Sequence, residues 1–269
     1  MTDLTASAPP PEEKRRPGLA GILFASVWAA IFLAIAYYIV SNWSSAYFER
    51  YGMRYLEGLW VTISLVVTSF VCGALVSLPF AFGRMSSNPL ARWPSFAFVY
   101  FFRGTPLIAQ IFLVYYGFGE FREAFQSVGL WWFFREAWYC ALFVLALNTA
   151  AYQAEILRGA IESVPIGQWE GGRSLGISRP VIFSRIVLPQ AMIVALRPYA
   201  NELILLVKGS AIIAIITVYD LFGVARQTYA KTFDLQAYVW AALLYLVIVE
   251  ILRRLTNFAE ARLTRHLQR

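Results

Sequence analysis

The sequence predicts an all-α, polytopic membrane protein with six transmembrane helices. Three observations carry that expectation. Of the 269 residues, 59% are hydrophobic and 14% charged, against about 45–50% apolar and about 25% charged in ordinary globular domains. Six apolar runs each have at least the roughly 17 residues that a transmembrane helix needs. The basic residues are also unevenly placed: with both termini inside, fourteen of the 23 Lys and Arg fall on the inner side, six on the outer side and three in or near spans. That bias sets orientation. A formal charge of +7 then reads as inner loops facing anionic lipid rather than nucleic acid. Cys72 and Cys140 both lie in apolar runs, and the single histidine is His266. Disulfide frameworks and metal sites therefore have nothing to build on, and no metal ligand set and no catalytic residue is expected.

Residues 1–17 are polar and Pro-rich and end in Lys14, Arg15 and Arg16, which predicts a disordered cytoplasmic tail. The first apolar run, 19–40, competes with a cleaved signal peptide. Its length and the lack of a small-x-small cleavage site favour a retained helix. With the Trp43, Tyr47, Tyr51 and Tyr55 cluster it forms a segment 18–57, an extra N-terminal helix and an outer loop whose aromatics suit an interfacial belt. The remaining spans are expected at 58–83, with Pro79 near its inner end, 96–118, 138–158, 186–207 and 236–252, making 58–269 one transmembrane domain. The run 211–218 is apolar but too short to cross, and reads as re-entrant or as a helix extension. No soluble domain and no internal repeat is apparent.

Between the fourth and fifth spans lies a polar, Gly-rich, basic loop, 163–189, placed inside by the charge bias. Within it a short helix is expected over 165–176, starting near Ser163 or Pro165. Pro180 stops it through its missing N–H and fixed φ. Gly171 and Gly172 each cost a helix about 1 kcal/mol relative to Ala, and their missing side chains would let another surface approach. Glu170, Arg173 and Arg179 give the peg a polar face. An ordinary cytoplasmic loop is the plainer alternative.

Polar residues inside the spans are the other signal. Arg103, in Phe102-Arg103-Gly104-Thr105-Pro106, costs about 2.5–3.5 kcal/mol if central in the bilayer. Near the start of a span it could instead snorkel to the headgroups. Pro106 frees a backbone carbonyl and kinks its helix. Asn148, Tyr152 and Glu155 stand at i, i+4 and i+7 with Thr149 alongside, so they share one face. That stripe either lines a substrate path and offers a carboxylate to a cation, or makes interhelical hydrogen bonds and pairs Glu155 with Arg103 or Arg158. Glu202 and Lys208, six apart, do not share a face well. Glu202 fits a pathway or a structural pair equally, and Asp220 in TVYDLFG reads as a loop or cap residue.

These strings carry a resemblance. Glu170, Gly176, Ile186, Leu188 and Pro189 match the spacing of the coupling loop of ATP-binding-cassette (ABC) importer permeases, E-A-A-x3-G-x9-I-x-L-P. The chain departs from it at Gly171 and Gly172. YFFRGTPLIAQIFLVYYG and LNTAAYQAEILRGAIESVPIGQWE are similar to polar amino-acid permeases of that superfamily, nearest to histidine, lysine/arginine/ornithine and opine importers. The resemblance covers roughly residues 58–269. It implies a type I importer fold with a five-helix core and a cytoplasmic coupling helix, preceded here by one extra helix. By the same resemblance, Arg103, Asn148, Thr149, Tyr152, Glu155 and Glu202 would line the substrate pathway, and Glu170, Gly171, Gly172, Arg173 and Gly176 would couple to an ATPase. Implied partners are ABC ATPase subunits, a second permease chain (identical or homologous), a periplasmic solute-binding protein and membrane lipid, in a bacterial inner membrane. The cargo would be a polar, basic amino acid or a related opine. The chain contains no GxxxxGK[ST] string, so ATP and Mg would reside on the partner ATPase, and this subunit would not itself be an enzyme.

Two other classes compete with this reading. A secondary transporter working without an ATPase would favour inverted repeats and paired broken helices, which the sequence does not display. An intramembrane enzyme would need a nucleophile–base pair or a metal constellation in a span, and the spans supply neither.

Overall fold

The structure is a computed structural model in which residues 18–42 and 44–263 are described; the tail expected at 1–17 lies outside them. Every regular element among these residues is helical. The chain divides into two compact units, 1–46 and 47–269.

The first unit holds α1, Leu19–Ser41, 23 residues with no charged side chain. A ladder of rings runs along it, Phe24 to Trp28 at 6.2 Å and Trp28 to Phe32 at 6.1 Å between centroids. Helical i, i+4 spacing brings such side chains into register.

The second unit starts within α2, Ser45–Met85. Its 41 residues make a rod of about 60 Å at 1.5 Å per residue, twice the hydrocarbon thickness. The span expected at 58–83 is therefore the latter part of a longer helix. This corrects the expectation for the tyrosines. Tyr51 and Tyr55 are buried rather than facing an interface. They pack with Leu221, Val224, Ala225 and Ala241, and the Tyr55 hydroxyl donates to the Ala237 carbonyl at 2.8 Å.

α3, Pro89–Gly104, opens with Pro89 at its first position and Asn88 as N-cap, whose side chain accepts from the Leu90 N–H. The third span was expected as one segment over 96–118. It is instead broken: α3 ends at Gly104, α4 (Leu107–Phe112) starts after Pro106, and the two halves are bent by 106°. The second half continues through a π turn at Leu113–Gly117 and a tight turn at Phe118–Phe121 into α5, Arg122–Ser127. After the aromatic turn α6 (Trp131–Phe134), the chain enters α7, Ala137–Glu162.

α7 is the centre of the unit and packs against α3, α4 and α10. Ala141, Ala146, Ala150, Ala151, Ala154 and Ala160 are all buried along it. Lipid tails are as apolar as leucine, so membrane helices associate through close packing rather than the hydrophobic effect, and small residues permit the approach.

The loop that follows contains α8, Ile166–Ser174, and α9, Arg179–Ile182. α10, Leu188–Ser210, is extended by a tight helical turn, Ala211–Ile216, so the run at 211–218 is a helix extension. Thr217 then adopts a left-handed backbone, φ 65°, and ends it. α11, Leu221–Thr232, and α12, Gln236–Leu263, pack on each other, and α12 also packs on α10.

Among the described residues four helical segments are long and apolar enough to cross a membrane: Leu19–Ser41, Ser45–Met85, Ala137–Glu162 and Arg179–Ile216. The bent pair makes up to five. α12, placed as the sixth span, has 28 residues but is not among them.

Candidate functional site: a polar seam on the central helix and a capped peg beside it

The seam begins at the break in the third span. An α-helical carbonyl is bonded by the N–H four residues on. For Phe102 that residue is Pro106, which has no N–H. Two amides take its place: Asn148 Nδ2 donates to the Phe102 carbonyl at 3.0 Å and Gln110 Nε2 at 2.9 Å. Gln110 also donates to the Thr105 hydroxyl at 2.8 Å, and its Oε1 accepts from Asn148 at 3.0 Å. Asn148 and Gln110 thus join α7 to both halves of the broken helix and satisfy backbone that lipid could not.

At the next residue, Thr149 Oγ1 donates to Glu202 Oε1 at 2.9 Å. Gln153 Nε2 donates to Thr149 Oγ1 at 3.2 Å and to the Phe70 carbonyl at 3.1 Å. This chain ties α2, α7 and α10 together. Glu202 is 6% exposed and is buried at this junction, while Lys208 is exposed.

Glu155 is the node of a larger cluster. Arg84 Nε donates to its Oε1 at 3.0 Å. Arg158 donates to both oxygens, the shortest contact being 2.8 Å, and also pairs with Glu162. Arg103 stands 3.9 Å from Oε2 and lies over the Tyr152 ring at 5.2 Å. Both expected partners of Glu155 are present, and Arg84 joins them from the end of α2. Three guanidinium groups therefore face two carboxylates. Of the three, Arg103 is the loosest, with its side chain 43% exposed and the longest contact. Arg84, Gln110 and Gln153 were missed in the sequence. The last two had a readable signal, since each is an amide inside an apolar run. Arg84 looked like an ordinary loop cation, because its partner is 71 residues away.

The expected short helix is α8. Pro165 is its N-cap. At its other end the Ile177 N–H donates to the Gly172 carbonyl and the Gly176 N–H to the Arg173 carbonyl, with Gly176 at φ 72°. That pair of bonds around a left-handed glycine is a Schellman cap. Pro180 sits in the first turn of α9, so the peg is stopped at Gly176 and the next helix starts afresh. The expectation that both glycines admit another surface is corrected at Gly172. It is buried, and an added Cβ would lie 2.7 Å from Ile182 Cγ1, so its missing side chain admits α9 of this same chain. Gly171 faces open space. Trp169 stacks on Phe183 at 6.3 Å. Ile166, Trp169, Arg173, Arg179, Pro180 and Phe183 line an open groove of about 540 Å³. Glu170, Arg173 and the apolar Leu175 are exposed beside it.

Residues 69–265 match the family described as binding-protein-dependent transport system inner membrane component. The chain belongs to this family. Among its relatives, the nopaline transport system permease protein NocM of Agrobacterium fabrum is 40% identical over 216 residues, 80% of this chain and 90% of that protein. The histidine/lysine/arginine/ornithine transport system permease protein HisM of Escherichia coli is 39% identical over 218 residues, 81% and 91% of the two chains. An amino acid ABC transporter crystallised with histidines superposes with a TM-score of 0.72 at 29% identity, covering 82% of this permease and 99% of that chain. The MetNI methionine ABC transporter in an inward-facing form shares the fold, with a TM-score of 0.67 at 19% identity over 82% and 100% of the two chains. This inner-membrane component is thus the permease subunit of an ABC importer, a transport subunit rather than an enzyme. Its family is one that works with a binding protein and ATPase subunits.

Proposed function

We propose that this permease imports polar, basic amino acids or related opines, taking them from a periplasmic solute-binding protein. The observation that carries the reading is that relatives at 37–40% identity over most of the chain are named for opines and for histidine, lysine, arginine and ornithine. Five core helices form half of the pathway, and a second permease chain, identical or homologous, supplies the other half. Both termini are cytoplasmic, the extra α1 making six spans in a bacterial inner membrane.

Within the pathway Arg103 is the cargo-facing group. Every amino acid and opine carries a carboxylate, and Arg103 is the guanidinium with the weakest hold on Glu155. Glu155 keeps Arg84 and Arg158 in place, Tyr152 supports Arg103 from behind, and the Asn148 and Thr149–Glu202 bonds hold the helices that frame them. ATPase subunits, which carry the ATP and Mg, dock on α8 through Glu170, Gly171, Arg173 and the neighbouring groove. Closure of the ATPases pushes α8 and shifts the pathway between outward- and inward-open forms.

The test is reconstitution of the permease with its ATPase and binding protein in liposomes. Arginine, ornithine, histidine or an opine delivered by the binding protein is expected to stimulate ATP hydrolysis and to accumulate inside. Stimulation by none of these, together with stimulation by an acidic or branched-chain amino acid, overturns the cargo assignment.

A further inference from the structure

A second basic site lies at the turn between α2 and α3, on the far side of Arg84 from Glu155. A cleft of about 510 Å³ opens there, lined by Arg84, Ser87, Pro89, Arg92, Trp93 and Phe96. We propose that it binds the phosphate of an anionic phospholipid. Several observations converge on that occupant. The cleft sits at the end of α2, a helix long and apolar enough to span, and so at headgroup depth. Its two cations are arginines, which bind phosphate oxygens through paired N–H groups. Arg92 is exposed and forms no ion pair among the described residues.

The surface leading away from the cleft is apolar. Trp93, Phe96 and Tyr100 follow one another along α3, Trp93 edge-on to Phe96 at 5.9 Å and Phe96 stacked on Tyr100 at 5.7 Å between centroids. They are exposed, as is Leu90. A free inorganic anion would use the arginines and ignore that strip. A phospholipid uses both, its phosphate on the arginines and its chains along the rings, as basic pockets beside spans and interfacial tryptophans do elsewhere.

Charge balance points the same way. Among the described residues the ion pairs of Arg84, Arg103 and Arg158 are made with Glu155 and Glu162, three guanidinium groups on two carboxylates, and Arg92 adds a further cation. Arg84 belongs to both groups: its Nε bonds Glu155 while its guanidinium lies 4.9 Å over the Phe96 ring at the cleft. A bound phosphodiester supplies negative charge on the open side of the same arginine. The site therefore links lipid composition to the Glu155 cluster.

The inference rests on embedding in the membrane and not on the cargo, so the two fail separately. The experiment is native mass spectrometry of the permease in its assembled transporter, titrated with phosphatidylglycerol or phosphatidylcholine. Wild type is expected to retain phosphatidylglycerol in preference to phosphatidylcholine. Removing one basic residue near an anionic surface costs about 1 kcal/mol, so Arg92→Gln should weaken retention about fivefold. Arg92→Lys, which keeps the charge but not the paired N–H groups, should lose less than Arg92→Gln, and Arg262→Gln, an exposed arginine at the end of α12, should leave retention unchanged. Equal retention of the two lipids by wild type overturns the proposal without any variant. So does wild-type retention in Arg92→Gln, or an equal loss in Arg262→Gln, which would indicate diffuse surface charge. Displacement of the lipid by inorganic phosphate at millimolar concentration would assign the cleft to a soluble anion instead.

Discussion

Asp220 shows how much one side chain can fasten. It caps α11 by accepting from the Gly223 N–H at 2.8 Å and takes the Tyr245 hydroxyl at 3.1 Å. Thr62 of α2 accepts from the next backbone N–H, that of Leu221, at 3.0 Å. Burial pushes the Asp220 carboxyl up to about 6, and the hydrogen bonds from Gly223 and Tyr245 only partly offset it. A carboxyl raised in the folded state binds its proton more tightly there than in the unfolded chain. Its contribution to stability is then full below about pH 4 and is lost as the pH rises through about 6. Comparing wild type with Asp220→Asn, which retains the cap but cannot titrate, cancels the other groups. The stability difference should move against wild type between about pH 4 and pH 7, by up to about 1.4 kcal/mol per pH unit. A difference that stays flat in thermal unfolding across that window would refute the assignment. The sequence left Asp220 open as a loop or cap residue, and the structure makes it the cap. Its burial was not legible in the sequence, because that depends on α2 and α12 closing over it.

At the scale of elements, α8 is a nine-residue helix seated on α9 through a single missing methyl. Gly172→Ala would drive a Cβ against Ile182, which is fully buried, and overpacking of this kind costs about 1–3 kcal/mol. Trimming Ile182 to Ala opens a cavity on its own account, yet makes room for the new methyl. The double variant Gly172→Ala/Ile182→Ala should therefore be less destabilised than the sum of the two single variants, measured by hydrogen exchange across α8. Strict additivity would mean the two residues do not meet. Spacing placed the helix over 165–176 and its stop at Gly176 and Pro180, because local backbone chemistry sets both. The role of Gly172 was misassigned, because its partner follows ten residues on and only the fold turns α9 back. The broken third span has the same explanation. Pro106 announced a kink, but a 106° bend needs the Asn148 and Gln110 amides to make it tolerable in lipid.

For the whole molecule, orientation follows from the distribution of basic residues. Single cysteines at Ser45 and Ser174, introduced after removing Cys72 and Cys140, are expected to label from opposite sides of the membrane. Labelling of both from outside would sink the six-span arrangement with α8 facing the cytoplasm. The all-helical membrane class and the run of strings that resemble a permease were legible because apolar length and local spacing are properties of the sequence itself. The composition of the Glu155 cluster was half legible. Arg103 and Arg158 lie on the expected faces, while Arg84 arrives from a separate helix, and a carboxylate that looked available to a cation is surrounded by three arginines.

The Phe102 carbonyl carries one further implication. A carbonyl oxygen has two lone pairs, and the amides of Asn148 and Gln110 occupy both. Its valence for hydrogen bonding is filled. In transporters with unwound helices, freed carbonyls are the ligands that strip an ion of its water. Here the freed carbonyl has no vacancy, so a passing ion or solute gains nothing from it without first evicting a side chain. At this carbonyl the break in the third span is thus a joint between helices, and the ligand that an ion-driven carrier would recruit there is already held by the protein's own amides.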